Sequence, residues 1–401
     1  MFRTSTVHPS IYLWRIWRLN RVHTTPKARR LHVHSHAGQQ RDERFKILFM
    51  GRDDFSCLVL KELYAASDLW QNILVATNPD KKVGRRGSLL SVSPLKILSQ
   101  TLNLPVHSIP HTKPEFRQWK LPPPFSELQM DSPNPDHLLV TASFGRILTT
   151  TQLDAFLPTR RLNVHPSLLP AYRGPAPIQH TLLNGEQETG VCVINMLKKK
   201  EGIDAGGIWG FTRVVCPVPK EATFTSLQET LACEGGKLLV SVMRDMRAGK
   251  ASLQPQPTSS TLSHAPKISM ADALLNFETM SAENIVQRYR AISHQVCKVS
   301  SCHDIYVPTA PILSLHNPSV WSPSSSLEPM ALPTQPGSAV FHKPSKALLV
   351  RCSNNSVLSV PRVKQDGKSL LETKEWWNGV CNTPFVLNGV MKLGMTNENE
   401  C

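Results

Sequence analysis

Two polar side chains one residue apart, Asn163 and His165, are the first candidates for chemistry in this sequence. Residues two apart in a strand point to the same face, so the run Arg161-Leu-Asn-Val-His165 sets an amide beside an imidazole. Pro166 and Pro170 stop that strand abruptly and expose its end. At the carboxyl end of a parallel strand the pair would lie where open α/β sheets bind ligands. An isolated Asn-x-His is as often a turn or core feature; the exposed strand end favours a functional one. A second candidate is the run Lys81-Lys-Val-Gly-Arg-Arg-Gly-Ser88, a loop with four cations. It is either a solvated surface or an attractor of polyanions.

The elements that must hold these residues alternate. An apolar run at 46–51 ends in glycine and is followed by a helical pattern over 55–66, with Leu58, Leu60 and Leu63. Further strands are expected at 73–77, 105–108, 137–142, 161–165, 191–195 and 208–215, with helices over 93–102 and 226–246. Such alternation predicts an α/β fold with a Rossmann-like, doubly wound parallel sheet. Its first turn, Gly51-Arg-Asp-Asp-Phe-Ser56, lacks the GxGxxG spacing that brings a dinucleotide against the backbone, which argues against NAD. The proline-rich, polar stretch 110–136 reads as a surface loop, and 250–263, rich in Ser, Thr, Pro and Gln, reads as a linker. Beyond it, a helix over 282–292 and short strands at 338–342, 347–352 and 357–363 predict a small β-barrel.

A length of 401 residues with 40% apolar side chains accommodates two packed domains and tails. The formal charge of +15 exceeds what solubility needs and points to a polyanionic partner. Part of the excess sits in the first forty residues, which hold seven Arg or Lys and no acid. Arg15, Arg18 and Arg21 there flank Leu13, Trp14, Ile16 and Trp17, the amphipathic pattern of a mitochondrial import signal. The remainder is still basic. The nine cysteines are scattered without CxxC spacing, which argues against a disulfide framework or zinc site and fits a reducing compartment. No apolar stretch is long enough to span a membrane.

The run Asn163-Val-His-Pro-Ser-Leu-Leu-Pro170 followed by Arg173-Gly-x-Ala-Pro-Ile178 resembles the folate-dependent formyltransferase family, and within it the branch that acts on methionyl-tRNA. Similar stretches are 49–60, 78–94, Thr141-Ala-Ser-Phe-Gly-Arg-Ile-Leu148, Ala265-Pro-Lys-Ile268 and Pro336-Gly337, so the likeness covers roughly residues 46–380. It implies a formyltransferase domain over 45–249 and, after the linker, an OB-like tRNA-binding barrel over 264–392. A leader over 1–44 and a tail over 393–401 complete the chain.

The resemblance also implies roles. Its catalytic trio falls on Asn163, His165 and Asp204, the last in Gly202-Ile-Asp-Ala-Gly206, where Ala205 replaces the usual Thr and Lys198-Lys-Lys200 lengthens the preceding loop. Folate is expected along Ser167, Leu168, Leu169 and Pro170 and at Phe144 and Gly145; tRNA at Arg85 foremost, with Lys81, Lys82 and Arg86. The implied reaction moves a formyl group from 10-formyltetrahydrofolate to the amino group of initiator methionyl-tRNA, in the mitochondrial matrix, by a monomer without metal or membrane partner. Relatives acting on glycinamide ribonucleotide lack the Arg-Gly-x-Ala-Pro-Ile extension, and those acting on aminosugars or hydrolysing the folate normally carry a further enzymatic domain.

Overall fold

A computed structural model describes residues 44–126, 132–214, 221–258, 263–294, 306–307, 313–322 and 334–393. The basic leader and the tail from 394 onward lie outside the described residues. The first half runs β1 (Phe45–Met50), α1 (Asp54–Ala65), β2 (Trp70–Thr77), β3 (Lys81–Val83), β4 (Leu89–Ser91), α2 (Pro94–Thr101), β5 (Val106–Ser108), α3 (Lys113–Gln118), β6 (His137–Ala142), α4 (Thr150–Asp154), β7 (Arg161–His165), α5 (Pro177–Leu183), β8 (Thr189–Asn195), β9 (Ile208–Val214) and α6 (Phe224–Arg247). Seven strands form one sheet in the order β5-β2-β1-β6-β7-β8-β9.

The first five of these are mutually parallel, as expected. β8 alone runs against them, paired antiparallel with β7 on one side and β9 on the other, so the expected Rossmann-like sheet is parallel in all strands but one. Every residue of β8 is buried, so its sequence has no alternation and carries no sign of direction. Strand alternation builds two cores: Ile47, Phe49, Val140, Leu162 and Val164 face α1 and α6, while Leu48, Met50, Leu139, Leu74 and Ala76 face the other side. α1 starts because Asp53 and Ser56 form a capping box, and it buries Phe55, Val59, Leu60 and Leu63. α6 crosses the sheet with Gly235 against Val164 and Val191 and Gly236 against α1. The stretch 110–136 is not merely surface: Phe116, Leu121 and Phe125 fill the second core.

The second half holds α7 (Met270–Ala273), α8 (Ala282–Ile292), β10 (Tyr306–Val307), β11 (Leu313–His316), β12 (Ser319–Val320), β13 (Ser338–His342), β14 (Ala347–Arg351), β15 (Val357–Val360), β16 (Arg362–Gln365), β17 (Leu370–Glu372), α9 (Thr373–Val380), β18 (Val386–Leu387) and β19 (Val390–Lys392). The strands form two antiparallel sheets, β10-β11-β16-β17 and β12-β15-β14-β13-β19-β18, around one core that includes Leu348, Val350, Val363 and Trp376. The single strand expected over 357–363 is broken at Pro361, which has no N–H for the ladder, and its halves join different sheets. α8 docks on α5: Gln287 Nε2 donates to the carbonyls of Leu182 (2.8 Å) and Leu183 (3.0 Å), closing orphan acceptors at that helix end. Among the described residues no helix is long and apolar enough to cross a membrane.

Candidate active site

β7 ends between parallel β6 and antiparallel β8, with Asn163 opposite Thr141 on one side and Ile194 on the other. Thr141 Oγ1 donates to Asn163 Oδ1 at 2.7 Å, which turns the amide so that Nδ2 lies 3.5 Å from Asp204 Oδ1. His165 is 4% exposed, and its Nε2 is 3.0 Å from the Tyr172 carbonyl. A carbonyl only accepts, so that nitrogen carries hydrogen. The other nitrogen, Nδ1, is 3.8 Å from Asp204 Oδ2, within ion-pair range but beyond a hydrogen bond. Oδ2 also accepts the backbone N–H of Gly174 at 3.0 Å. The three residues read from sequence thus meet around one carboxylate, across a gap of 41 positions in the chain between Asn163 and Asp204.

Two backbone positions in this cluster are left-handed without being glycine, Tyr172 (φ 61°) and Asp204 (φ 54°). Each costs of order 1–3 kcal/mol unless its surroundings hold it. Tyr172 is held on three sides. Its N–H donates to the Ser263 carbonyl at 2.9 Å, and its hydroxyl bonds to Glu186 and, at 2.9 Å, accepts from Asn184. Burial first and the Glu186 bond second push its phenol up to about 12. At Gly174 (φ 122°), a Cβ would sit 2.6 Å from the Ala265 carbonyl oxygen, so only glycine fits.

Asp204 is held from the stretch that reads as a linker. Gln256 Nε2 donates to the carbonyls of Asp204 (2.7 Å) and Gly206 (2.8 Å), and its Oε1 accepts from Arg173 Nε at 3.0 Å. Thr141, Tyr172, Gly174 and Gln256 were not among the expected site residues. Thr141 had a signal, its place at the head of the family-like run Thr141-Ala-Ser-Phe-Gly-Arg-Ile-Leu148; Gln256 had none, because Gln254-Pro-Gln256 reads only as loop. The lysine insertion is accommodated as a 3₁₀ turn, Lys199–Glu201, with Lys198 N–H donating to Glu201 at 2.9 Å and its ammonium 2.9 Å from Asp154.

The expected folate residues divide. Leu169 is buried with Cys192, Ile194 and Ile208 beneath the site. Ser167 is buried with its hydroxyl donating to the Ala171 carbonyl at 2.7 Å, while Leu168 and Pro170 are half-buried. Phe144 packs into the second core, 5.8 Å from the Phe116 ring centre, so only its backbone can reach a ligand. Gly145 is exposed. The expected basic loop is in fact a hairpin, β3 paired with β4 in the register Lys81↔Ser91 and Val83↔Leu89. Lys81, Lys82 and Arg86 are exposed on it, as are Leu89 and Leu90. The Arg85 side chain lies outside the described residues. Lys96 pins the base of this hairpin to Asp80 at 2.7 Å. The hairpin and the carboxylate cluster are separate features.

A family model described as formyl transferase matches residues 45–243, and one described as formyl transferase, C-terminal domain, matches 267–380. The chain belongs to the formyl transferase family. It is 36% identical over 250 residues to a methionyl-tRNA formyltransferase of Syntrophus aciditrophicus, covering 62% of this chain and 73% of that one. It is 30% identical over 349 residues to the mitochondrial methionyl-tRNA formyltransferase of Mus musculus, covering 86% and 80%. In fold it is similar to an N-formyltransferase from Helicobacter canadensis solved with folinic acid and dTDP-3-aminofucose, with a TM-score of 0.50 and 15% identity over 79% of this chain and 98% of that one. Among the described residues no group of three or more His, Cys, Asp or Glu is arranged to hold a metal ion.

Proposed function

We propose that this formyl transferase moves the formyl group of 10-formyltetrahydrofolate to the free amino group of methionyl-tRNA, and that it does so as a monomer in the mitochondrial matrix to supply initiator tRNA for translation. The observation that carries the reading is the convergence of Asn163, His165 and Asp204 at the end of β7, in a chain whose relatives over most of its length are methionyl-tRNA formyltransferases, bacterial and mitochondrial.

The cluster suits amine-to-formyl transfer. Attack by the uncharged amine on the formyl carbon forms a C–N bond and builds negative charge on the formyl oxygen; the bond to the folate nitrogen then breaks, and the amine's proton passes to that nitrogen. Asn163 Nδ2 and His165 are the donors for the oxygen, each such donor being worth roughly 2.7–4 kcal/mol in comparable sites. With the Nε2 hydrogen held by the Tyr172 carbonyl, Nδ1 presents its lone pair on the Asp204 side, where it can take up a proton and, once it has, donate to the formyl oxygen. Asp204 supports the charged imidazole and relays the amine proton, directly or through water. The backbone at Ser167–Pro170 and Gly145 is assigned to the folate, and the exposed cations Lys81, Lys82 and Arg86, with Arg85, to tRNA phosphates and the acceptor end.

In the same reading residues 45–249 are the catalytic domain, 250–263 the linker and 264–392 a tRNA-binding domain. Residues 1–44 are the import leader, supported by the arginine-rich, acid-free sequence and the mitochondrial relatives. The test is to offer the protein 10-formyltetrahydrofolate with methionyl-tRNA, free methionine or a dTDP-aminosugar. Formylation of the charged tRNA alone supports the proposal; formylation of the sugar refutes the substrate assignment. A reporter fused to residues 1–44 should enter mitochondria, and its retention in the cytosol would refute the localisation.

A further inference from the structure

We infer that Gln256, in the segment joining the two halves of the chain, is a positioning residue for the Asp204 carboxylate. The activity readout of this inference rests on the function proposed above; the structural readout does not.

Gln256 makes four hydrogen bonds to three residues, with no donor or acceptor to spare. Both hydrogens of its amide nitrogen go to carbonyls of the catalytic loop, those of Asp204 at 2.7 Å and Gly206 at 2.8 Å. Its oxygen accepts from Arg173, whose guanidinium can only donate, so the amide cannot be turned over. The side chain therefore bolts the Asp204 loop to the Tyr172-Arg173-Gly174 segment. That segment supplies the other two fixed points of the cluster: the Gly174 N–H on Asp204 Oδ2 and the Tyr172 carbonyl on His165 Nε2.

The loop needs a bolt. Asp204 is in the left-handed region, which an aspartate reaches only against a steric penalty. Gly206 passes so close to β8 that a Cβ there would fall 1.8 Å from the Asn195 carbonyl oxygen. Register is set two residues before Gln256, where Gln254 and Ile208 exchange backbone hydrogen bonds of 2.7 and 2.9 Å. Of the side chains of this length, only glutamine offers two donors and one acceptor on neighbouring atoms. Glutamate would set an oxygen against two carbonyl oxygens, and methionine would keep the length while making none of the bonds. Because Gln256 touches the main chain of the loop and no reacting group, its effect reaches the chemistry only through the placement of Asp204.

Full-length Gln256→Met, Gln256→Glu and Arg173→Lys would be compared with the unmodified protein in three measurements: kcat and KM for both substrates, melting temperature, and hydrogen exchange of the Gly174 amide. For Gln256→Met we expect kcat to fall about tenfold or more, in line with losing several part-buried hydrogen bonds around one carboxylate. KM for the folate and the melting temperature should hold, and Gly174 exchange should quicken. Gln256→Glu should be at least as impaired, and Arg173→Lys, which keeps the charge and loses the fork, should share the faster exchange. Unchanged kcat and unchanged Gly174 exchange in Gln256→Met would overturn the inference, as would a loss of kcat that merely tracks a lower melting temperature. If the unmodified protein does not formylate methionyl-tRNA, the functional proposal fails, while the exchange measurement still decides whether Gln256 holds the loop.

Discussion

Replacing Asp204 by asparagine alters the carboxylate cluster while leaving its size intact. Asp204 accepts Gly174 N–H at 3.0 Å on one oxygen and faces Asn163 Nδ2 at 3.5 Å on the other. Asparagine has a single oxygen. Placed toward Gly174 it keeps that bond, but its own NH₂ then opposes the Asn163 NH₂; flipped, it opposes the Gly174 N–H. The first orientation costs less, so the loop should stay folded, with a charged acceptor exchanged for a neutral one at about 1 kcal/mol. The larger loss falls on His165, whose Nδ1 is 3.8 Å from the carboxylate. A unit charge at that separation contributes about 4 kcal/mol at an effective dielectric constant of 20, before the opposing desolvation is subtracted. A net of roughly 3–4 kcal/mol corresponds to about a hundredfold to a thousandfold in rate. Single-turnover formylation at saturating folate, with folate affinity and melting temperature measured on the same sample, reads this directly. A loss of less than about tenfold, or a fall in folate affinity equal to the fall in rate, would refute the assignment of Asp204 to the chemical step.

Three further outcomes are expected. Lys81→Ala and Lys82→Ala should each lower the slope of log tRNA affinity against log salt by about 0.7–0.9 for a lost phosphate contact, while Arg85→Ala should cut activity on methionyl-tRNA far more than folate binding; a salt series with folate titration checks both. Burial, only partly offset by hydrogen bonds from Ser143 and Ser56 and by Arg52, raises the Asp53 carboxyl above its ordinary 3.8. A raised carboxyl favours folding at low pH and loses that benefit as pH rises through the folded-state value, so Asp53→Asn, still a good N-cap, should be the more stable protein at neutral pH and should lose its advantage below pH 3.8 in urea titrations. Burial also pushes Cys57 and Cys352 up to about 12 and Cys192 to about 11, so alkylation at mildly alkaline pH followed by mass mapping should, among the described cysteines, leave these three unmodified in the folded protein and label the half-buried Cys233 and Cys381.

The parts of the site legible in the sequence were those fixed by local geometry. Asn163 and His165 share a face because strand period is two, and the prolines after them announce the strand end whatever the rest of the chain does. The parallel strands of the first half could be placed because apolar runs alternate with helical spacing. Direction was not legible in β8, where unbroken burial removes the pattern, nor was the pairing of β3 with β4, where a basic sequence masks a hairpin turned by Gly84 and Gly87. Phe116, Leu121 and Phe125 were hidden by the prolines around them. Gln256 was the least legible of all, because a side chain that bridges two distant loops leaves no mark on its neighbours in sequence. The placement of Asp204 depends on that bridge, and the turn of the insertion before it, tied to Asp154, has no pattern in its three lysines.

The paired glycines of α6 limit how this protein could be hardened. Each gives up about 0.8–1.0 kcal/mol of helix propensity relative to alanine, and two adjacent ones in the middle of a 24-residue helix would be the first targets for replacement in any search for thermal resistance. Here the gain is closed off. A Cβ on Gly236 would lie 2.7 Å from Glu62 Cβ, and one on Gly235 would lie 2.7 Å from Val164 Cγ1. Val164 stands between Asn163 and His165, pointing to the opposite face of the same strand. A single methyl group added to the rear helix would therefore press on the strand that aims both donors, and a heat-adapted relative would have to find its added stability elsewhere, in α1, in the surface loops or in the second half of the chain.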